Sequence, residues 1–178
     1  MNAPAVSRGR GFTLLELMLV VAIIGVIATI ALPTFQRFKL RARSAEAGTN
    51  LAAIRVAQRG YFSEYSEFVA ASASPATHGG SMGQAFADTG GGFAILGWAP
   101  EGNVFFQYAV AVSGVAFTAD AAADIDNDGV VQVWGYVHPS SMGVTVTGEL
   151  SCTGVVGAGG GTTNIVGPCS QDCGRSIF

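Results

Sequence analysis

Apolar positions fall along the chain in three regimes. From Phe12 to Leu32 the sequence reads FTLLELMLVVAIIGVIATIAL, apolar all round except for one carboxylate, Glu16. As a helix rising about 1.5 Å per residue, this run spans roughly 31 Å, close to the hydrocarbon thickness of one bilayer. Beyond Pro33 the pattern narrows to a face: Ala47, Leu51, Ile54, Tyr61, Phe62, Tyr65 and Phe68 recur with the helical period, and Gln58 interrupts the stripe. The first half is expected to project and the second to pack on a domain. Gly25, Pro33 and Gly48 are its weak points; Pro33 lacks an amide donor and crowds the preceding turn, so bending or local melting is expected between Gly25 and Pro33.

The third regime is short and interrupted. Residues 71–92, ASASPATHGGSMGQAFADTGGG, read as a loop. Strands are predicted at Val104–Val112, Val115–Ala121 and Val130–Val137, with a shorter one near Val144–Thr147. Their short connectors imply antiparallel pairing. The predicted fold is α+β: a long N-terminal helix, its first half membrane-spanning, packed through its second half on a small antiparallel sheet.

Charge sharpens this division. Arg37, Lys39, Arg41, Arg43, Arg55 and Arg59 follow the apolar run, whereas beyond Gly60 ten acids face one base, Arg175. An acidic head argues against a specific nucleic-acid partner, and bases beside an apolar helix suit anionic headgroups. Lys39 is the only lysine, so no phosphate loop of the G-x-x-x-x-G-K-[ST] type exists. Two histidines, His78 and His138, in loop-like contexts give no nucleophile, base and orienter set, and no enzyme is expected. His138, before Pro139, reads as a turn residue.

Asp124-Ile125-Asp126-Asn127-Asp128-Gly129 matches the opening of a calcium loop, with Asp124, Asp126 and Asp128 as candidate metal ligands. The twelfth position, where a bidentate Glu is needed, is Gly135, and Asn127-Asp128-Gly129 between β-rich runs is equally strong turn chemistry. No other cofactor is indicated. Cys152, Cys169 and Cys173 lie in the last twenty-seven residues. In an exported chain they predict one disulfide, Cys152–Cys169 or Cys152–Cys173, and one leftover thiol.

The apolar run is too long for a secretory signal core and has no A-x-A site after it. A plain anchor leaves Glu16 unexplained, because a charge in the membrane costs about 2.5 to 3.5 kcal/mol at the helix centre and less near an end. The string Arg10-Gly11-Phe12-Thr13-Leu14-Leu15-Glu16-Leu17-Met18, the apolar run and Pro33 together resemble the class III leader and N-terminal helix of bacterial type IV pilins and of the pilin-like proteins of type II secretion. The match covers Arg10 to Pro33 and continues more loosely to about Phe68.

The resemblance implies that a prepilin peptidase cuts between Gly11 and Phe12 and that Phe12 becomes N-methylated. Residues 1–11 are then a leader, 12–33 the membrane and filament-core half of the helix, 34–68 its amphipathic half and 69–178 the β head. Cleavage would leave a cationic amine four residues from Glu16, and helices staggered by a turn would pair that amine with a neighbour's carboxylate, fixing register. Implied partners are further copies in a helical filament, the peptidase, the pilus assembly machinery and, before assembly, the inner membrane; the filament lies at the cell surface. A minor pilin or type II pseudopilin is the alternative within the family, although a major pseudopilin usually lacks a Cys-rich C-terminal segment and carries a calcium loop. A monomeric membrane-anchored binding domain is the alternative outside it. Twitching motility, adhesion, DNA uptake and secretion all remain open as uses. Four bases, Arg37 to Arg43, follow the run and two precede it, which by the positive-inside count would keep the head in the cytoplasm; the cleavage motif outweighs that count.

Overall fold

The computed structural model describes residues 11–88, 90–157 and 160–169. It divides into two compact units between Phe38 and Lys39, and helix α1, Leu14–Tyr65, contributes to both. In the first unit α1 is apolar on every side and its side chains are exposed almost throughout. The helix is continuous through Gly25 and Pro33. Hydroxyls return to the backbone where polar groups would otherwise face an apolar medium: Thr29 donates to the Val26 carbonyl and Thr34, next to Pro33, to that of Ile30.

The second unit contains a five-stranded antiparallel sheet of order β1-β4-β5-β6-β9, built from β1 (Ala71–Ser74), β4 (Gln107–Ser113), β5 (Ala116–Ala123), β6 (Gln132–His138) and β9 (Val166–Pro168). Two small ribbons accompany it, β2 (Gln84–Ala85) with β3 (Asn103–Val104) and β7 (Val155–Gly157) with β8 (Gly160–Thr162), as does a short helix α2 (Gly92–Ile95). The β4–β5 hairpin turns through Gly114-Val115, with Gly114 at φ +57°, the left-handed conformation that a type II′ turn needs at its first central position.

α1 packs here because Ala47, Leu51 and Ile54 meet an apolar core with Phe93, Phe106, Tyr108, Val110, Phe117, Ala119 and Tyr136. Central strand β5 is buried at all eight positions: Phe117, Ala119, Ala121 and Ala123 join that core, and Thr118, Asp120 and Ala122 line the opposite face. That second face is covered by the segment after β6, whose Val146 carbonyl accepts from Thr118 and whose Leu150 and Cys152 amides donate to Asp120. The Cys152–Cys169 disulfide closes the cover.

Several expectations need correction. α1 ends at Tyr65, not near Phe68, because Ser66 turns left-handed at φ +58° and its amide donates to the Phe62 carbonyl, a helix stop made without glycine. Gln58 does not interrupt the buried stripe but belongs to it: fully buried, it donates to the Val69 carbonyl and accepts from the Val69 amide. Residues 71–92 are not one loop but contain β1 and β2. Val144–Thr147 forms no strand, since its Val146 carbonyl is taken by a side chain rather than by a ladder. His138 is the last residue of β6, not a turn residue, and lies against the rings of Phe68 and Phe117.

Candidate functional site

The chain enters α1 through a capping box. Gly11, Phe12 and Thr13 precede the helix, and Phe12 is 73% exposed. Thr13 is the N-cap: its hydroxyl accepts from the Glu16 amide at 3.2 Å, while Glu16 Oε2 accepts from the Thr13 amide at 3.1 Å and the Thr13 hydroxyl at 3.0 Å. Two amides that the helix itself leaves without partners are satisfied reciprocally. This role of Glu16 is written in T-L-L-E, the S/T-x-x-E signature. Both bonds use one oxygen, so Oε1 has no partner among the described residues. The site thus presents an accessible Gly11-Phe12 peptide outside the helix and a carboxylate already fixed in direction at its first turn.

Behind the cap, Leu14, Leu17, Met18, Val21, Ile24, Ile27 and Ile30 are all exposed, as are Phe35 and Phe38. A continuous apolar rod of this length is exposed for a reason: it needs lipid or other helices around it.

The acidic triplet lies in the turn between β5 and β6. Oxygens of Asp124, Asp126 and Asp128 lie within 4.8 Å of one another, a hard-ligand set. Asp124 accepts from the Gly129 amide at 3.1 Å and Asp128 from the Val130 amide at 2.7 Å, and Asn127 (φ +60°) and Gly129 (φ +87°) turn left-handed. Burial, with the charges of Asp128 and Asp124 nearby, pushes the Asp126 carboxyl up. Gly135 cannot serve as the twelfth ligand position, because it sits inside β6 opposite Asp120. The Asn127 side chain donates to the Ser81 hydroxyl at 2.9 Å, tying the turn to a neighbouring loop. These bonds are those of a closed turn.

Of the candidate cysteines, Cys152 and Cys169 are joined; Cys173 lies outside the described residues. Sequence reasoning missed Glu46. Its carboxylate accepts from the amide of Phe105 at 3.1 Å and the Tyr108 hydroxyl at 2.9 Å, and Asn50 donates to the same hydroxyl at 2.8 Å. Burial and the Glu46 charge push the Tyr108 hydroxyl up. Nothing in a lone glutamate on a helix marks it as a clasp for a strand sixty residues away.

The family model for the prokaryotic N-terminal methylation motif matches residues 6–32. The type IV major pilin protein PilA of Myxococcus xanthus (strain DK1622) is 56% identical over 64 residues, which cover 34% of this chain and 29% of that protein. The fimbrial protein EcpC of Eikenella corrodens is 52% identical over 56 residues, covering 32% of this chain and 34% of its own length. A fimbrial protein of Pseudomonas aeruginosa is 42% identical over 66 residues, covering 37% of this chain and 42% of its own. The chain therefore spans between 29% and 42% of the length of these relatives. No solved structure matches it. Through residues 6–32 the chain carries the prokaryotic N-terminal methylation motif, and over its N-terminal third, which includes the capped apolar start of α1, it is similar to a type IV major pilin and to fimbrial proteins.

Proposed function

We propose that the chain is a structural subunit of a type IV pilus, held in the inner membrane as a precursor, cut between Gly11 and Phe12, N-methylated at Phe12 and polymerised through its N-terminal helix. On this reading residues 1–11 are the leader, 12–33 the membrane and filament-core segment, 34–65 the amphipathic half and 66–178 the head carried on the outside. The observation that carries the reading is the exposed apolar half of α1, whose one carboxylate, Glu16, stands at its capped start shortly after the matched Gly-Phe pair.

Glu16 then has two tasks. Within the chain it caps α1; between chains its carboxylate meets the cationic Phe12 amine of a neighbour. A buried pair of this kind selects register more than it adds stability, because breaking it leaves a naked charge at a cost of about 3 to 5 kcal/mol. Leaving lipid for other helices brings no large hydrophobic gain, so packing and this pairing select the contacts. Gly25 and Pro33 are where the helix would loosen on assembly. The disulfide-closed cover, Cys152–Cys169, favours a pilin over a pseudopilin.

The test is mass spectrometry of the mature N-terminus together with imaging of sheared surface filaments. A methylated Phe12 and fibres containing this chain are expected. A mature protein that keeps Met1, or a processed chain that stays monomeric, overturns the proposal and favours a membrane-anchored binding domain.

A further inference from the structure

Central strand β5 buries a carboxyl group that lies outside the N-terminal site. Asp120 is fully buried on the face of the sheet away from the α1 core. Its Oδ2 accepts from the Leu150 amide at 2.7 Å and the Cys152 amide at 3.4 Å, whereas its Oδ1 is buried with no partner among the described residues. Gly148 lies so close that a Cβ there would fall on the carboxyl. The segment over Asp120 is itself closed by the Gly148 amide donating to the Cys152 carbonyl at 2.7 Å, and it is tethered by the Cys152–Cys169 bond.

Among the described residues, the groups facing Asp120 are almost all uncharged. Ala109 on β4 and Gly135 on β6 are its register partners, and Thr118 and Ala122 share its face on β5. From the covering segment the one charge that acts on it is Glu149; the two cysteines are bonded and do not titrate. A carboxyl in such a place is pulled two ways. Backbone amides favour the ionised form, but removal from water, aided by Glu149, favours the neutral form and raises the group to about 7.

We propose that Asp120 is a proton-operated latch for residues 148–152: neutral, it holds the segment closed on the sheet; ionised, it favours a state in which the segment lifts and water reaches the carboxylate. The sign follows from linkage. The closed form binds the proton more tightly than an open form with an ordinary carboxyl, so closure is fully favoured below about pH 4 and is lost progressively as pH rises to about 7. Across that window the closed-to-open ratio falls by up to about a thousandfold. The disulfide confines the motion to the cover, and the latch does not depend on filament formation.

Amide exchange of the full-length chain in detergent micelles tests this, read on peptides containing Leu150 and Cys152 and corrected for intrinsic exchange. At least a tenfold loss of protection is expected between about pH 5 and about pH 8. Asp120→Asn, of the same shape without the charge, should abolish the pH dependence. Equal wild-type protection at both pH values, or a pH dependence retained by Asp120→Asn, overturns the latch. Should that variant not fold, the infrared carbonyl stretch of the wild-type protein decides: a buried neutral carboxylic acid still present near pH 6 supports the latch, and its absence overturns it.

Discussion

At the residue scale, Glu16 does two jobs that one substitution can separate. Gln preserves the capping box because its carbonyl oxygen accepts the same bonds, but it cannot neutralise an amine; Ala removes both functions. If register is set by charge, Glu16→Gln should reduce filaments on sheared cells as severely as Glu16→Ala. If only the cap matters, Gln should assemble normally. Gln58 is a second such residue. Replacing it with Leu leaves the Val69 amide and carbonyl unpaired in a buried site, and chemical denaturation should show a loss of about 2 to 4 kcal/mol despite the added apolar surface. The sequence placed Gln58 on the stripe by number and treated it as a defect by chemistry. Periodicity reports which side faces inward, but it does not report that the chain after Ser66 returns with an unsatisfied amide and carbonyl.

At the element scale, α1 and the sheet are joined by apolar packing and by the Glu46 clasp. Glu46→Ala should cost about 2 kcal/mol in the same measurement, by leaving the Phe105 amide and the Tyr108 hydroxyl short of an acceptor, and Glu46→Gln should cost less. Replacing Cys152 and Cys169 by Ser should cost about 3 kcal/mol, the chain-entropy value for a loop closed over a separation of 17 residues. The β5–β6 turn is held by its own amide bonds, so calcium or a chelator should leave the melting temperature unchanged; a rise with calcium would show that the three carboxylates bind the ion. Strands β4, β5 and β6 were legible because each is long and rich in β-branched, aromatic or small apolar residues. β1, β7, β8 and β9 were not: ASAS has no β-branched or aromatic residue, VVG, GGT and VGP are too short to show a period, and pairing with a neighbour makes them strands.

At the scale of the whole molecule, the sequence announces an apolar rod and an acidic head, and both are present. The rod is legible because a run of twenty-one residues, nearly all apolar, leaves few physical alternatives. The cover over the second face of the sheet is not, since Asp120 in AFTADAAA reads as a solvent-facing residue until the segment above it is seen. With the α1 apolar side chains exposed, the purified chain should require detergent. Sedimentation in micelles should give one small species, and dilution out of detergent should give large assemblies.

The reciprocal bonds between Thr13 and Glu16 mean that the rod starts itself, with donors and acceptors that all lie beyond the Gly11-Phe12 bond. Trimming the chain at that bond would therefore ask nothing of the backbone that follows. Stored and released subunits would share one helical beginning, and a reservoir in the bilayer could be drawn down without any molecule having to rebuild its first turn.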